Sequence, residues 1–287
     1  MDLKQTNQPC LVDASRSPFA KLRPVSVADI KIGDGFWSRW RSVNREVTLT
    51  YGYQKLLETG VLANLEAAAG GKLGDFQNMR FADSDLYKWI EAAACTVAGD
   101  NTVDADFEKK LDHAVELVAA AQNPDGYIYS FHQLKGIDSR WQNIRNDHEL
   151  YCAGHLIQAA VARFRFCAKE DLLQVACRFA DHIVSVFGPA KHETVPGHPE
   201  IEMALVELYR ATGTERYLAM ARYFVDQRGK GLIGGSSYYQ DHAPWRGAGE
   251  PAGHAVRQLY LLAGATDVFW KQESANYLMR SSVFGRT

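Results

Sequence analysis

The sequence is short of the signals that send a chain to a membrane, a disulfide scaffold or a nucleic acid. Its first 24 residues, MDLKQTNQPCLVDASRSPFAKLRP, lack the roughly 7–15-residue apolar core of a secretory signal, and no later stretch offers about 18 uninterrupted apolar residues for a span. A cytoplasmic location without a membrane partner is therefore expected. The net charge is only −2, with no run of Lys or Arg, so the basic footprint of a nucleic-acid binder is missing and no nucleic-acid partner is expected. The five cysteines, Cys10, Cys95, Cys152, Cys167 and Cys177, form no CxxC pair and no disulfide-framework spacing. They read as reduced, mostly buried thiols.

What the chain does have is enough apolar content, 46% of 287 residues, to bury a sizeable core. Residues 1–24 are polar and irregular. Val25, Val27 and Ile30 then suggest a short N-terminal strand ahead of the aromatic turn GDGFWSRW. From Trp37 the apolar period becomes helical, and amphipathic stretches alternate with loops carrying Gly, Pro, Asn and Asp. About eight helices are expected, the first over roughly 37–59 with VTLTY weakening its middle, because β-branched side chains lose rotamer freedom in a helix. Asp83 or Ser84, Asp104, and Asn146 or Asp147 are the expected caps of the next three, and Pro199 the first residue of a later one.

Three histidines recur 50 and 56 residues apart, each near an expected helix start: His148 in NDHELYCAGH, His198 in VPGHPEIEMAL and His254 in PAGHAVRQLYL. Such a period is the length of a helical hairpin with its loops. Two helices also share a frame, Leu172–Ala176–Phe179 against Leu218–Ala221–Phe224, and each follows a histidine-bearing helix. The expected fold is all-α, an (α/α)6-toroid type built from helical hairpins but incomplete, with about four of six. The histidines would then converge at one mouth. The frame stops matching after Val268, so residues 25–268 read as the partial toroid domain and 269–287 as an atypical tail. An open toroid leaves apolar flanks uncovered, which points to a truncated or frame-altered product, a different closure, or a homo-oligomer.

His148, Cys152 and His155 share a helix face at i, i+4 and i+7, which could present metal ligands, but the HExxH spacing of zinc peptidases is absent. The simpler reading is one mouth histidine with a Cys and a His packed beneath it. Asp83 and Asp85 open a helix beside Tyr87 and Trp89, and both could simply cap it. A glycosidase would need two carboxyl groups at a set separation, and Asp83, Asp85, Glu149 and Glu200 are the candidates. Trp89, Tyr127, Tyr129, Trp141, Tyr238, Tyr239 and Trp245 supply rings that could stack on sugars or serve as core.

The segments GDGFWSRWR, FADSDLYKWIEAAA, AAAQNPDGYIYS, DHELYCAGHLIQAAVA, ADHIVSVFGP, GHPEIEMALVELYRATGTERYL and GHAVRQLYLLAGATDV, in this order, resemble the catalytic domain of glycoside hydrolase family 127, the β-L-arabinofuranosidase-like family. The resemblance spans about residues 25–268. It implies an (α/α)6 barrel followed by β-sandwich domains, and a retaining exo-hydrolase of β-L-arabinofuranosides. It also implies a cysteine nucleophile, a glutamate acid/base, and a zinc held by a glutamate and three cysteines. A zinc-bound thiol is deprotonated, which suits cysteine to attack. His148, His198 and His254, with Asp83 and Trp141, would then line a carbohydrate site. The family's G-E-S/A-F, G/A-E-T-C and C-C-P segments do not occur here, so no catalytic residue is assigned and no zinc is expected in this chain. Three readings stay open: a sugar-binding part of a glycoside hydrolase inactive alone, an active toroid hydrolase using its own Asp and Glu, or a non-catalytic helical scaffold.

Overall fold

The computed structural model describes residues 10–15, 17–98 and 105–269, and in them every regular element is helical. The expected long first helix is α1 (Phe36–Val43) running into α2 (Leu49–Glu58) through one π-type turn, Asn44–Thr48. That turn holds Val47 and Thr48, where β-branched crowding was expected to weaken the helix. A helix missed in the sequence, α3 (Val61–Ala69), follows at once because Gly60 turns the chain at φ +80°. Next come α4 (Asp83–Ala98), α5 (Ala105–Ala120), the short α6 (Ser130–Lys135), α7 (Glu149–Cys167) and α8 (Asp171–Val186). The series ends with α9 (Ile201–Thr212), α10 (Glu215–Gln227) and α11 (Ala255–Phe269).

These helices form two layers. In the inner layer α2, α4, α7, α9 and α11 lie side by side in chain order; α3, α5, α8 and α10 back them on the outside. The described residues thus hold four hairpins and a fifth inner helix, in an all-α toroid-type arrangement. Both copies of the Leu–Ala–Phe frame fall on outer helices, with Leu172, Ala176, Phe179, Ala221 and Phe224 buried against the inner layer. Arg163 ties the layers together: its guanidinium grips both Asp171 oxygens at 2.7 Å and Asp112 at 2.8 Å. This two-pronged geometry is what arginine supplies and lysine does not.

Inner helices approach so closely that glycine is required between them. A Cβ on Gly154 of α7 would lie 2.8 Å from a Glu200 carboxyl oxygen and 3.0 Å from the Ile201 nitrogen. One on Gly264 of α11 would lie 2.6 Å from Glu202 Cβ. These two contacts set the spacing of α7, α9 and α11, and with it the spacing of their N-terminal ends.

The expected N-terminal strand is not formed. Val27–Asp29 make a single 3-10 turn, and Val25 and Ile30 are exposed, since no second strand lies alongside to pair with them. Residues 10–15 and 17–24 are irregular, as expected, and pack onto the inner layer: Arg165 donates to the Leu11 carbonyl at 2.7 Å and Phe19 stacks on Phe269. The tail beyond Phe269 and the expected cap Asp104 lie outside the described residues. Apolar surface is uncovered on α1–α2, where Phe36, Trp37, Trp40, Val47 and Tyr51 are all more than half exposed along one face. Among the described residues no helix is long and apolar enough to cross a membrane.

Replacing Gly154 by Ala should destabilise the fold by about 1–3 kcal/mol, since the added methyl overpacks a rigid interface. Gly249→Ala, whose Cβ meets nothing within 4 Å, should lie within about ±0.5 kcal/mol. Urea denaturation midpoints compare the two, and equal midpoints would refute the close-approach argument.

Candidate functional site

The close inner layer brings the three histidines together at one mouth. His148 immediately precedes α7, while His198 and His254 stand just ahead of α9 and α11. Their ring centroids are 6.0 Å apart for His148–His198 and 6.4 Å for His198–His254, and all three side chains are half-buried. The second of these helices starts later than expected. Glu200, not His198, is its N-cap, with an extended backbone that places Pro199 outside the helix, and its N–H donates to Glu202 Oε2 at 3.0 Å.

Local hydrogen bonds set which nitrogen of each ring faces outward. His148 Nδ1 lies 2.9 Å from the Asn146 carbonyl and His198 Nδ1 lies 2.7 Å from the Pro199 carbonyl. A carbonyl only accepts, so both Nδ1 atoms carry the proton and both Nε2 atoms are acceptors. His254 is reversed, because its Nδ1 accepts from the Arg257 N–H at 3.4 Å, leaving Nε2–H as a donor. No described residue occupies any of the three Nε2 atoms. Burial, outweighing the Pro199 contact, lowers His198 to about 4, so this ring is neutral near pH 7.

Below the histidines is a floor that the sequence did not reveal. The Tyr151 ring lies 4.5 Å from His198 and 4.6 Å from His155, and Tyr260 packs on both histidines. Lys88 Nζ donates to Tyr151 Oη at 2.9 Å. Beneath them Glu200 is fully buried, and neither carboxyl oxygen has a hydrogen-bond partner, although His155 Nδ1 is 3.3 Å away. Burial, with the nearby Glu91 charge, pushes the Glu200 carboxyl well up, and burial first, then Lys88 and His198, brings His155 down to about 3. The two therefore face each other as a neutral acid and a neutral imidazole, not as an ion pair. The available signal was spacing: Tyr151 and Tyr260 follow His148 and His254 on the same inner helices.

Two expected site residues lie elsewhere. Asp83 is fully buried, and both its oxygens are taken by Ser130, Oδ2 by the backbone N–H at 2.8 Å and Oδ1 by the hydroxyl at 2.5 Å. It anchors the start of α6 to α4, and its complete burial keeps both oxygens away from the mouth. Trp141 is 7% exposed, with its indole stacked on His182 and enclosed by Tyr127, Phe179 and Phe187. It is a core residue and offers no ring face at the mouth. Glu149, another candidate carboxylate, accepts from Trp141 N at 3.0 Å and Tyr127 Oη at 2.7 Å, so it organises that loop. Asp85 is exposed and lies 3.9 Å from Lys88.

The comparisons with known proteins agree with this architecture. The family model described as β-L-arabinofuranosidase, GH127 catalytic domain, matches residues 29–285. The chain belongs to glycoside hydrolase family 127. It is 35% identical over 284 residues to a non-reducing end β-L-arabinofuranosidase of Bifidobacterium longum subsp. longum, covering 88% of this chain and 42% of that protein. Among solved structures, it is similar to the family 127 β-L-arabinofuranosidase of Geobacillus stearothermophilus T6, with TM-score 0.82 and 36% identity over 89% of this chain and 44% of the other. A second family 127 β-arabinofuranosidase gives TM-score 0.81 and 34% identity, over 89% of this chain and 42% of its own. The chain thus spans less than half the length of these relatives.

The zinc that the resemblance implies does not fit the described residues. No group of three or more His, Cys, Asp or Glu side chains among them is placed to hold a metal. The His148–Cys152–His155 face does not form one: Cys152 points its thiol at the Phe81 carbonyl, 3.8 Å away, while the two histidines serve the mouth and its floor. Burial raises every one of the five thiols, Cys95 to about 12, so they stay protonated, the reverse of what a thiolate nucleophile needs.

These imidazoles carry a pH signature. Below about 6.5 the unfolded chain takes up protons on His155 and His198 that the folded chain refuses, so they lower stability as pH falls from 6.5 toward 4. Asp83 acts oppositely: burial raises its folded carboxyl to about 6, so it costs stability as pH rises from about 4 to 6. His198→Asn should flatten the loss of stability on the acid side, and imidazole nitrogen shifts near about pH 5.5 should report neutral His155 and His198. Protonated shifts there would contradict the burial argument.

Proposed function

We propose that this chain carries the sugar-holding part of a β-L-arabinofuranosidase-type site, with His148, His198 and His254 as the residues that bind the sugar hydroxyls. The observation that carries this reading is the arrangement of outward nitrogens, two acceptors and one donor within a ring spacing of about 6 Å. A sugar hydroxyl both donates and accepts, so neighbouring hydroxyls on one ring can satisfy this mixed set. Tyr151 and Tyr260 provide the aromatic floor such a ring rests on, and the neutrality of His198 keeps its acceptor available at physiological pH.

The bond-breaking groups are proposed to lie outside the residues that match. No thiol here is poised as a nucleophile, and Asp83 and Glu149 are occupied in holding loops. Glu200 is the exception, a protonated carboxyl with free oxygens below the mouth, and it keeps alive a second reading in which the chain hydrolyses sugars with its own carboxyl groups.

Calorimetric titration with L-arabinose and a turnover assay with an aryl β-L-arabinofuranoside separate these readings. Weak saturable binding without turnover is expected, with binding reduced about tenfold or more by His198→Ala, as suits the loss of a hydrogen bond to a neutral ligand. Turnover that survives replacement of all five cysteines but vanishes in Glu200→Gln would establish the second reading instead. Absence of any sugar binding would remove the first.

A further inference from the structure

We propose that His132 is the positioning residue that holds His148 in place, by gripping the carboxylates of Asp147 and Glu149 on either side of it in the chain. This rests on the sugar-binding reading above and accounts for how His148 is aimed. His132 sits on the short helix α6, is buried, and has polar groups against both ring nitrogens. Its Nε2 lies 3.4 Å from Asp147 Oδ2 and 3.6 Å from Glu149 Oε2. Its Nδ1 lies 2.7 Å from Ser139 Oγ, and that hydroxyl donates its only proton to the Gly136 carbonyl, also at 2.7 Å. The Ser139 oxygen can therefore only accept from Nδ1, so Nδ1 carries a proton. With both carboxyls ionised, only a second proton on Nε2 avoids setting lone pair against lone pair. The ring is then a cation between two anions.

Each member of this cluster is tied to a further part of the fold. Ser130, two residues before His132, is fixed by Asp83, so α6 brings the ring in on a frame set by α4. Asp147 Oδ1 accepts from Arg80 at 2.7 Å and from Asn143 at 3.0 Å. Glu149 accepts from the Trp141 N–H and the Tyr127 hydroxyl. The loop from Trp141 to Asp147 is thus closed onto His132 through carboxylates at the two positions that bracket His148. The His148 ring hydrogen-bonds the Asn146 carbonyl of that same loop. Where the loop sits therefore decides where Nε2 points and which tautomer the ring holds. Without His132 two buried carboxylates would face each other with no cation between them, and their repulsion would spread the segment that carries His148.

The test is nitrogen NMR of the whole chain, with calorimetric titration of L-arabinose, on the native protein, His132→Gln, Asp147→Asn and the double variant. At about pH 7.5, where burial keeps His148 neutral, the native ring should show the fixed Nδ1–H tautomer. His132→Gln, which cannot carry the charge, should give signals averaged between the two tautomers and weaken L-arabinose binding about tenfold. Asp147→Asn removes one of the facing charges, so the double variant should lose less than the product of the two single losses. A merely structural role would lower the fraction folded without altering the tautomer or the affinity of the folded chain. If His132→Gln fails to fold, Asp147→Asn decides, since it should by itself blur the His148 tautomer. An unchanged His148 tautomer in the folded variants, or losses that simply multiply, overturns the clamp. Failure of the native chain to bind L-arabinose overturns the sugar reading instead, and the tautomer signals then decide the clamp alone.

Discussion

The architecture depends on how closely its inner helices approach one another. Gly154 lets the α7 backbone come within reach of Glu200 and Ile201, and Gly264 does the same between α11 and α9. A methyl at either point would push the helices apart, because packed interiors have no slack to absorb it. With the spacing set this tightly, the residues just before α7, α9 and α11 have little choice but to meet. The histidine mouth is a geometric consequence of glycine placement deeper in the layer.

That same close packing explains the unusual electrostatics. Gly154 leaves the space in which the Glu200 carboxyl sits, away from water and without a hydrogen-bond partner. Neutralisation is the least costly outcome for such a group, and His155 is driven to neutrality beside it. The result is a neutral acid–imidazole pair in a floor that also holds Lys88 against Tyr151, below histidines whose ring orientation is fixed by the Asn146 and Pro199 carbonyls and by the Arg257 N–H. This suits a ligand recognised by directional hydrogen bonds more than one held by charge alone.

Much of this could be read from the sequence. The 3.6-residue period, the recurrence of His148, His198 and His254, and the shared Leu–Ala–Phe frame were local signals, and the layered hairpins follow from them. The failures have physical causes too. Val25, Val27 and Ile30 have strand-like side chains, but a strand needs a neighbour to pair with, and none lies there. Asp83 and Trp141 are residue types common in sugar sites, yet each is claimed by a partner far along the chain, Ser130 and His182 respectively. VLANLEAAA carries no polar cap to mark it in the sequence, and Gly60 starts that helix through backbone conformation alone.

The sequence by itself determined the helical class, the hairpin repeat with its two framed outer helices, the family, and the recurrence of the three histidines, because each is encoded by periodicity or by contiguous segments. Only the tertiary structure decided which nitrogen each histidine presents, that Glu200 and His155 are neutral, and that Asp83 and Trp141 belong to the core. Those properties depend on burial and on partners tens of residues away. A one-dimensional pattern carries no information about who those partners are until the close-packed layer brings them together.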